Sequence, residues 1–317
     1  MSLALATKRP VKLPVIGAHH HLWADTIGCR VPCRSGRGHV EAVFEHACIL
    51  AFDSRDHIAV LGRRAGNVAH GIRLTHDYRF DHSLRRGMPV RLGPDRITFG
   101  DGQLTVLLSA TRVWTPDLCP GMFEWTDHSR AALKQAHDLL RNHAAGSGSE
   151  FLAVAVDMSH QATPLAARIS GILPELAMAS RSHDCATTLR LLSHFIGLGP
   201  GLTPAGDDFI VGWVAGLALA AHTPAQLSFL QAICAGVENL AAMTTSVSRA
   251  HLRDACALMF SERLSDLCVA MVRGQPTPAL AAHIAAQIAV GATSGADAAA
   301  GLMYSLLQCG PIDQRIA

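Results

Sequence analysis

The chain has 317 residues, of which 49% are hydrophobic and only 16% are charged, a composition that excludes an intrinsically disordered protein and predicts a packed one. Its formal net charge is only +2 and no basic cluster is rich in aromatic residues, so we expect no nucleic-acid partner. The longest apolar run, from Phe209 to Ala221, has thirteen residues, fewer than the roughly 20 that span a bilayer, so no membrane partner is expected. No secretory signal is recognisable and the nine cysteines contain no CxxC pair, which predicts a cytoplasmic protein with reduced thiols.

The first part of the chain predicts short β-strands. We expect strands over residues 42–52, 57–61 and 72–75, which are rich in β-branched and other apolar side chains. Two further segments, 97–99 and 104–107, form a predicted hairpin, because the residues from Gly100 to Gln103 between them favour a tight turn.

From Asp127 onward the chain consists mainly of alanine- and leucine-rich runs of helical length. Helices are predicted over 129–143, 162–179, 185–196, 204–221, 225–242 and 279–289, and one strand over 151–157. The sequence therefore predicts an α+β fold, with a β-rich N-terminal domain at residues 1–125 and a mainly helical C-terminal domain at 126–317.

The most unusual segment is glycine-rich and runs from Gly197 to Asp208, just before the long apolar run. Thr203 is a good N-cap and Pro204 a good first helical residue, so a helix is expected to begin here. Glycines let the backbone approach a ligand closely, and the free amides at a helix start favour an anion. The segment thus predicts a phosphate or carboxylate site, whose candidate ligand-binding residues are Gly199, Gly201, Thr203 and Gly206.

Two acidic residues, Asp207 and Asp208, follow these glycines. A nucleotide-binding P-loop would have lysine and a hydroxyl residue at these positions, so the segment is not one. The helix that follows is apolar on all sides, which predicts that it is buried together with both acids. Because unpartnered buried carboxylates are costly, we interpret Asp207 and Asp208 as candidate catalytic residues that orient a ligand, act as a base or hold Mg²⁺. The alternative is that both simply complement the helix dipole.

Two further polar clusters follow in the chain. In the first, Thr245, Ser248 and Arg249 would share one helix face and could bind an oxyanion together with Ser246, although such hydroxyls also serve as helix caps. In the second, Ser294 is a candidate N-cap and Asp297 its capping-box partner. Ser294, Gly295 and Asp297 are also candidate ligand-binding residues, because glycines again leave the backbone open.

These three segments, in this order, resemble a bacterial family of unknown function that includes a subunit of the oxamate carbamoyltransferase complex of allantoin catabolism. The resemblance covers residues 185–305 well, and the sequence from Gly197 to Asp208 is its most specific part. It implies carbamoyl transfer between carbamoyl phosphate and oxamate, a small anionic substrate, and a partner subunit that resembles an acyl-CoA synthetase. The Ser-Thr-Arg-Thr-Arg motif of ordinary carbamoyltransferases is absent, so the fold is expected to differ from theirs.

Two other functions remain open from the residues. The chain could be a non-catalytic subunit that binds an anion and regulates its partners, and it would then be inactive alone. It could also be a metal-assisted amidohydrolase that uses the aspartate pair, with Mg²⁺ as its cofactor, and chelation would then abolish its activity.

Overall fold

A computed structural model describes residues 20–32, 34–53, 57–109, 111–160, 162–275 and 277–309. Within these ranges, nine β-strands come first and ten α-helices follow, which confirms the predicted α+β class. The strands are β1 (His20–Gly28), β2 (Gly36–Val43), β3 (Ala47–Phe52), β4 (His57–Leu61), β5 (Gly71–Leu74), β6 (Pro89–Leu92), β7 (Arg96–Phe99), β8 (Leu104–Leu107) and β9 (Arg112–Trp114).

The helices are α1 (Asp127–Ser147), α2 (Glu150–Val156), α3 (Pro164–Arg181), α4 (Cys185–Leu192), α5 (Ala205–Ala220), α6 (Pro224–Leu240), α7 (Ser246–Cys256), α8 (Glu262–Val272), α9 (Thr277–Ile288) and α10 (Ser294–Cys309). Within the described ranges, no helix is long and apolar enough to cross a membrane. The last strand ends at Trp114 and the first α-helix begins at Asp127. The division into two domains at 1–125 and 126–317 stays a prediction.

The first eight strands close into a barrel. Their order around the ring is β5-β4-β3-β2-β6-β7-β8-β1, and β1 also pairs with β5, which joins the two ends. The β1–β8 and β4–β5 pairs are parallel and the other six pairs of the ring are antiparallel, while β9 continues the sheet beside the end of β1. Alternate residues, such as Val40, Leu50 and Ile58, point inward and form a separate core.

Two sequence predictions in these regions were wrong. The predicted strand over 42–52 is interrupted between Val43 and Ala47, where the chain turns from β2 into the antiparallel β3. The predicted strand over 151–157 is instead helix α2, whose first turn is capped by the Ser149 hydroxyl. A short apolar run fits a buried helix as well as a buried strand, and periodicity alone does not separate them.

Helices α5 and α10 form the centre of the helical part and run in the same direction. Gly212 of α5 lies against Ala298 of α10, and a Cβ at this glycine would be 1.8 Å from the Ala298 carbonyl oxygen. Gly301 of α10 is equally close to α5, since its Cβ would be 1.9 Å from the carbonyl oxygen of Phe209. The two backbones are therefore in direct contact, which places the N-terminal ends of α5 and α10 side by side.

The barrel and the helices are joined by hydrogen bonds to acidic side chains of α7 and α8. Glu262, at the start of α8, accepts hydrogen bonds from the backbone and side-chain amides of Asn67 at 2.8 and 3.1 Å, and from Arg73 at 3.3 Å. His70 Nδ1 lies 2.7 Å from Asp254 Oδ2 of α7. These contacts fix the position of α7 and α8 relative to the barrel.

Candidate functional site

The glycine-rich segment forms a loop that leads into α5. Gly197, Gly199 and Gly201 all have positive φ angles, of 69°, 124° and 91°, which glycine adopts without steric cost. Gly206 serves a different purpose, because its Cβ would lie 2.0 Å from the Phe195 carbonyl oxygen. Gly199 and Gly201 therefore shape the loop, and Gly206 lets the start of α5 pack against the preceding turn.

Helix α5 begins one residue later than predicted. Pro204 is its N-cap and makes no side-chain capping bond, so the prediction that Thr203 caps this helix was wrong. The Thr203 hydroxyl lies instead 3.0 Å from the Ser294 hydroxyl at the start of α10. Thr203 thus joins the first and third polar segments of the sequence.

Asp207 is buried, with 1% of its surface exposed, and every contact of its carboxylate is with a donor. Its Oδ1 accepts a hydrogen bond from the Gly197 amide at 2.9 Å. Its Oδ2 accepts hydrogen bonds from the hydroxyls of Thr244 at 2.5 Å and Ser248 at 2.7 Å. Asp207 of α5 therefore connects this helix to the glycine-rich loop and to the start of α7.

Asp208 stands in a contrasting environment. It is 7% exposed, and its enclosed Oδ2 has no hydrogen-bond partner in the described part of the chain. Burial raises the pKa of Asp208 well above its ordinary value, the nearby Ser294 hydroxyl lowers it, and the charges of Asp297 and Asp207 raise it further.

Asp297 of α10 resembles Asp208 in these respects. It is fully buried, its Oδ1 accepts a hydrogen bond from Ser149, and its Oδ2 is unpartnered among the residues with described positions. Burial raises the pKa of Asp297 to about 6, although bonds from the Ser149 and Thr293 hydroxyls lower it. The site thus contains two carboxyl groups whose free oxygens are ready to accept a hydrogen bond.

Three helix starts converge on the glycine-rich loop. Besides the contact between Thr203 and Ser294, the Thr245 hydroxyl donates a hydrogen bond to the Leu202 carbonyl oxygen at 2.5 Å. Thr245 also caps α7 by accepting a bond from the Ser248 amide. The positive ends of the α5, α7 and α10 dipoles are therefore gathered in one place, an arrangement that stabilises an anion.

The remaining candidates of the second cluster differ in position. Ser248 is buried and bonds to Asp207, whereas Ser246 is exposed at the first turn of α7. The Arg249 guanidinium donates to the backbone carbonyl oxygens of Ala241 and Ala242, beyond the end of α6. Arg249 therefore closes a helix end, and its third and longest contact, at 3.5 Å, reaches the carbonyl oxygen of Thr244.

The predicted capping box at the third cluster does not form. Ser294 is already the first residue of α10, and the side chain of Asp297 bonds to Ser149 of another helix. Gly295 has no room for a side chain, since its Cβ would lie 1.8 Å from the Gln287 carbonyl oxygen. The glycine therefore permits the close packing of α9 against the start of α10.

Several residues of the site were not singled out from the sequence. Thr244 belongs to the second polar cluster but was not among the candidate site residues, and it donates to Asp207. Ser149, which donates to Asp297, is an isolated hydroxyl residue without a recognisable spacing signal. His251 lies one turn after Ser248 on α7. Its burial lowers the pKa of the ring, whereas the charges of Asp254 and Asp207 raise it. The i, i+3 spacing of Ser248 and His251 was the one available clue.

Metal binding stays a prediction. In the ranges that the structure describes, no three His, Cys, Asp or Glu side chains are grouped as metal ligands. Asp207 and Asp208 remain the candidate Mg²⁺ ligands, but the oxygens of Asp207 already accept three hydrogen bonds.

A comparison with known families finds a match in the helical part of the chain. Residues 195–306 match the family model described as oxamate carbamoyltransferase subunit AllH, and this range includes all three polar segments of the site. No solved structure matches the chain. The match supports the resemblance seen in the motifs: residues 195–306 of the chain are similar to the oxamate carbamoyltransferase subunit AllH family.

Proposed function

We propose that the chain is a subunit of a carbamoyltransferase-type complex of nitrogen or ureide catabolism, in which oxamate and carbamoyl phosphate are interconverted with oxalurate and phosphate. The observation that carries the proposal is that the family match spans the loop, the α7 start and the α10 start, the same three segments that meet around Asp208. The partner subunits would include one that resembles an acyl-CoA synthetase.

The chemistry of the site supports a ligand that has both an anionic group and an N–H donor. The converging helix starts favour an oxyanion, whereas the free oxygens of Asp208 and Asp297 require donors. Oxamate has a carboxylate at one end and an amide at the other, and oxalurate has the same polarity. Each would place its carboxylate at the helix starts and its N–H groups at the two acids.

In this proposal the two adjacent aspartates have different functions. Asp207 positions the loop, because all three of its hydrogen bonds are internal to the site. Asp208 is the base: as the oxamate nitrogen forms a bond to the carbamoyl carbon, the carboxylate takes the nitrogen's proton and the C–O bond to phosphate breaks. A raised pKa strengthens the carboxylate as a proton acceptor.

Access to the two acids requires a change at the loop. The Oδ2 atoms of Asp208 and Asp297 are enclosed, and Ser294 lies beside Asp208 while its hydroxyl contacts Thr203. A ligand that bonds to Asp208 would therefore displace the contact between Thr203 and Ser294. Gly199 and Gly201 have no side chains that would resist this movement, and glycine adopts a wide range of backbone angles.

The first test is a thermal-shift titration of the purified chain with oxamate, oxalurate and carbamoyl phosphate, with and without Mg²⁺. A ligand at about 100 times its dissociation constant should raise the free energy of unfolding by about 2.7 kcal/mol. We expect Asp208→Asn to abolish the shift and Asp138→Asn to retain it, because Asp138 is an exposed acid of α1. The second test measures carbamoyl transfer by the chain reconstituted with its partner subunits.

Three other outcomes would contradict the proposal. No ligand-induced shift together with no transfer by the complex would refute both the site and the reaction. Binding that depends on Asp208, in a complex that keeps full activity when Asp208 is replaced, would indicate a regulatory subunit. Hydrolysis of oxalurate by the chain alone, lost on chelation, would indicate an amidohydrolase.

A further inference from the structure

The arginines of the barrel fall into two groups. Some are paired with a carboxylate: Arg64 with Asp77, Arg73 with Asp25 and Arg96 with Asp95 are examples. Others have no ion pair and no side-chain hydrogen bond within the described residues, and three of these, Arg34, Arg37 and Arg91, lie close together. Unpaired arginines are common on a surface, so their placement decides whether they form a site.

Two of these arginines face each other directly. In the antiparallel pair of β2 and β6, Arg37 is the register partner of Arg91. Their side chains therefore leave the sheet on the same side, next to each other. Like charges at directly opposed positions destabilise a sheet, and an anion bound between them would reverse this effect.

The third arginine and an apolar floor complete an open groove at the rim of the barrel. The groove has a volume of about 660 Å³ and lies where β2 begins and β6 ends. Arg34 lines it from the segment before β2, and Phe52 and Leu92 line it from the inward-facing side of the barrel. This volume lies within the roughly 300–1,000 Å³ of small-molecule sites, and barrel mouths are frequent ligand sites.

The charge of the groove defines the ligand. Among the described residues that line the groove, three guanidinium groups and the carboxylate of Asp53 leave a net charge of +2. A flat acidic protein surface would not enter a concave groove and would be repelled by Asp53. A small ligand can keep its anionic group near the arginines and offer a hydroxyl or amine to Asp53.

We propose that this groove is a binding site for a phosphorylated small molecule, with its phosphate between Arg37 and Arg91 and its uncharged part towards Phe52. The fork of an arginine matches two oxygens of a phosphate, and two facing arginines hold it from both sides. None of the residues from Gly197 to Asp208 lines the groove, so this site does not depend on the function proposed above.

The test is a calorimetric titration of the whole chain with inorganic pyrophosphate and with ADP. We expect saturable binding of one equivalent, weakened at least tenfold in the double variant Arg37→Gln/Arg91→Gln. The matched control is Arg85→Gln/Arg86→Gln, which removes the same charge from two exposed arginines in the turn before β6. Binding should fall with added salt in the parent and in the control.

A second measurement separates a binding site from general charge. If the facing arginines repel each other, Arg91→Gln should melt at a higher temperature than the parent without ligand, and the control variants should not. Arg91→Lys should keep the repulsion but bind pyrophosphate more weakly, because it loses the paired donors. If the double variant does not fold, the weaker binding of pyrophosphate by Arg91→Lys tests the proposal in its place.

Three outcomes would overturn the proposal. The first is that the parent binds neither probe, and the second is that both double variants lose binding equally. The third is that a poly-glutamate peptide binds through Arg37 and Arg91 whereas the phosphorylated probes do not, which would assign the groove to an acidic protein partner.

Discussion

Asp207 and Asp208 are consecutive in the chain, yet Asp207 accepts three hydrogen bonds while Oδ2 of Asp208 accepts none within the described structure. Three donors satisfy both oxygens of the Asp207 carboxylate, whereas burial raises the pKa of Asp208, whose enclosed oxygen has no donor. Neighbouring residues on a helix point in directions about 100° apart, which explains how two adjacent acids reach such different surroundings. Replacements at the two positions should therefore have different consequences.

Replacement of Asp207 by alanine should destabilise the helical part. The change leaves the Gly197 amide and the hydroxyls of Thr244 and Ser248 without their acceptor. A hydrogen bond to a charged group contributes roughly 1.5–3 kcal/mol, so we expect a loss of about 3 kcal/mol or more. Chemical denaturation measures this loss. The control Asp138→Ala should change the free energy of unfolding by less than about 0.5 kcal/mol, and an equal loss in both variants would contradict this role for Asp207.

Replacement of Asp297 by asparagine should flatten the pH dependence of stability. The pKa of this acid is about 6 in the folded protein and near 3.8 in the unfolded chain. The folded state therefore holds the proton more tightly, and stability falls as the pH rises from about 4 to about 6. Two pKa units correspond to about 3 kcal/mol.

Asparagine imitates the protonated acid and can still accept the hydrogen bond from Ser149. Asp297→Asn should accordingly be more stable than the parent at pH 7, and the two should differ little at pH 4. Thermal unfolding at several pH values measures both differences. A variant that is less stable than the parent at pH 7 would contradict the prediction and would show that Oδ2 of the ionised carboxylate also has a donor.

Replacement of Gly301 by alanine should separate α5 from α10. The added Cβ would lie 1.9 Å from the Phe209 carbonyl oxygen, so one backbone has to move. Overpacking of a well-packed core costs typically 1–3 kcal/mol, and a backbone contact should reach the upper end of that range.

The control for this substitution is Gly171→Ala in α3. A Cβ there would meet nothing within 4 Å, and alanine favours a helix more than glycine does. We expect this variant to gain up to about 1 kcal/mol of stability. Equal effects of the two substitutions in chemical denaturation would contradict the close helix contact.

Replacement of Glu262 by alanine should loosen the junction between the barrel and the helices. Asn67 would lose the acceptor for both of its amides, and Arg73 would keep Asp25 as its partner. Since Glu262 is partly exposed, we expect a loss of only about 2 kcal/mol from these hydrogen bonds.

Hydrogen exchange gives the local readout for this junction. Amides of residues 66–74 should exchange faster in Glu262→Ala than in the parent. Glu262→Gln keeps one acceptor oxygen and should show a smaller increase. Unchanged exchange in both variants would mean that other contacts hold the junction.

The local parts of the fold could be predicted from the sequence. The hairpin of β7 and β8 follows from the turn residues between Gly100 and Gln103, and the long helices follow from their apolar runs. Strands β1, β6 and β9 were not predicted, because they are short or contain histidine, proline and arginine. Closure of the ring was also not predictable, since local patterns do not specify which distant strand is the partner.

The candidate site was predictable in its parts and not in its arrangement. Glycine, hydroxyl and acidic residues mark the three segments, and the structure brings them together through the contacts of Thr203 and Thr245. The sequence did not distinguish Asp207 from Asp208, because the donors that differ between them come from Thr244 and Ser248. Such long-range partners depend on helix packing, which a single sequence does not contain.

Closure of the barrel through β1 has a consequence for the order in which the protein folds. The first strand forms a parallel pair with β8, roughly 80 residues later in the chain, so the ring stays open until almost the whole barrel sequence is present. During synthesis β1 can pair with β5, but its other edge stays unpaired and exposed to other chains until β8 is present. The contact between α5 and α10 joins residues that are similarly far apart in the chain, but it does not need a closed ring. The first strand is therefore the segment of the barrel that most needs protection before folding is finished.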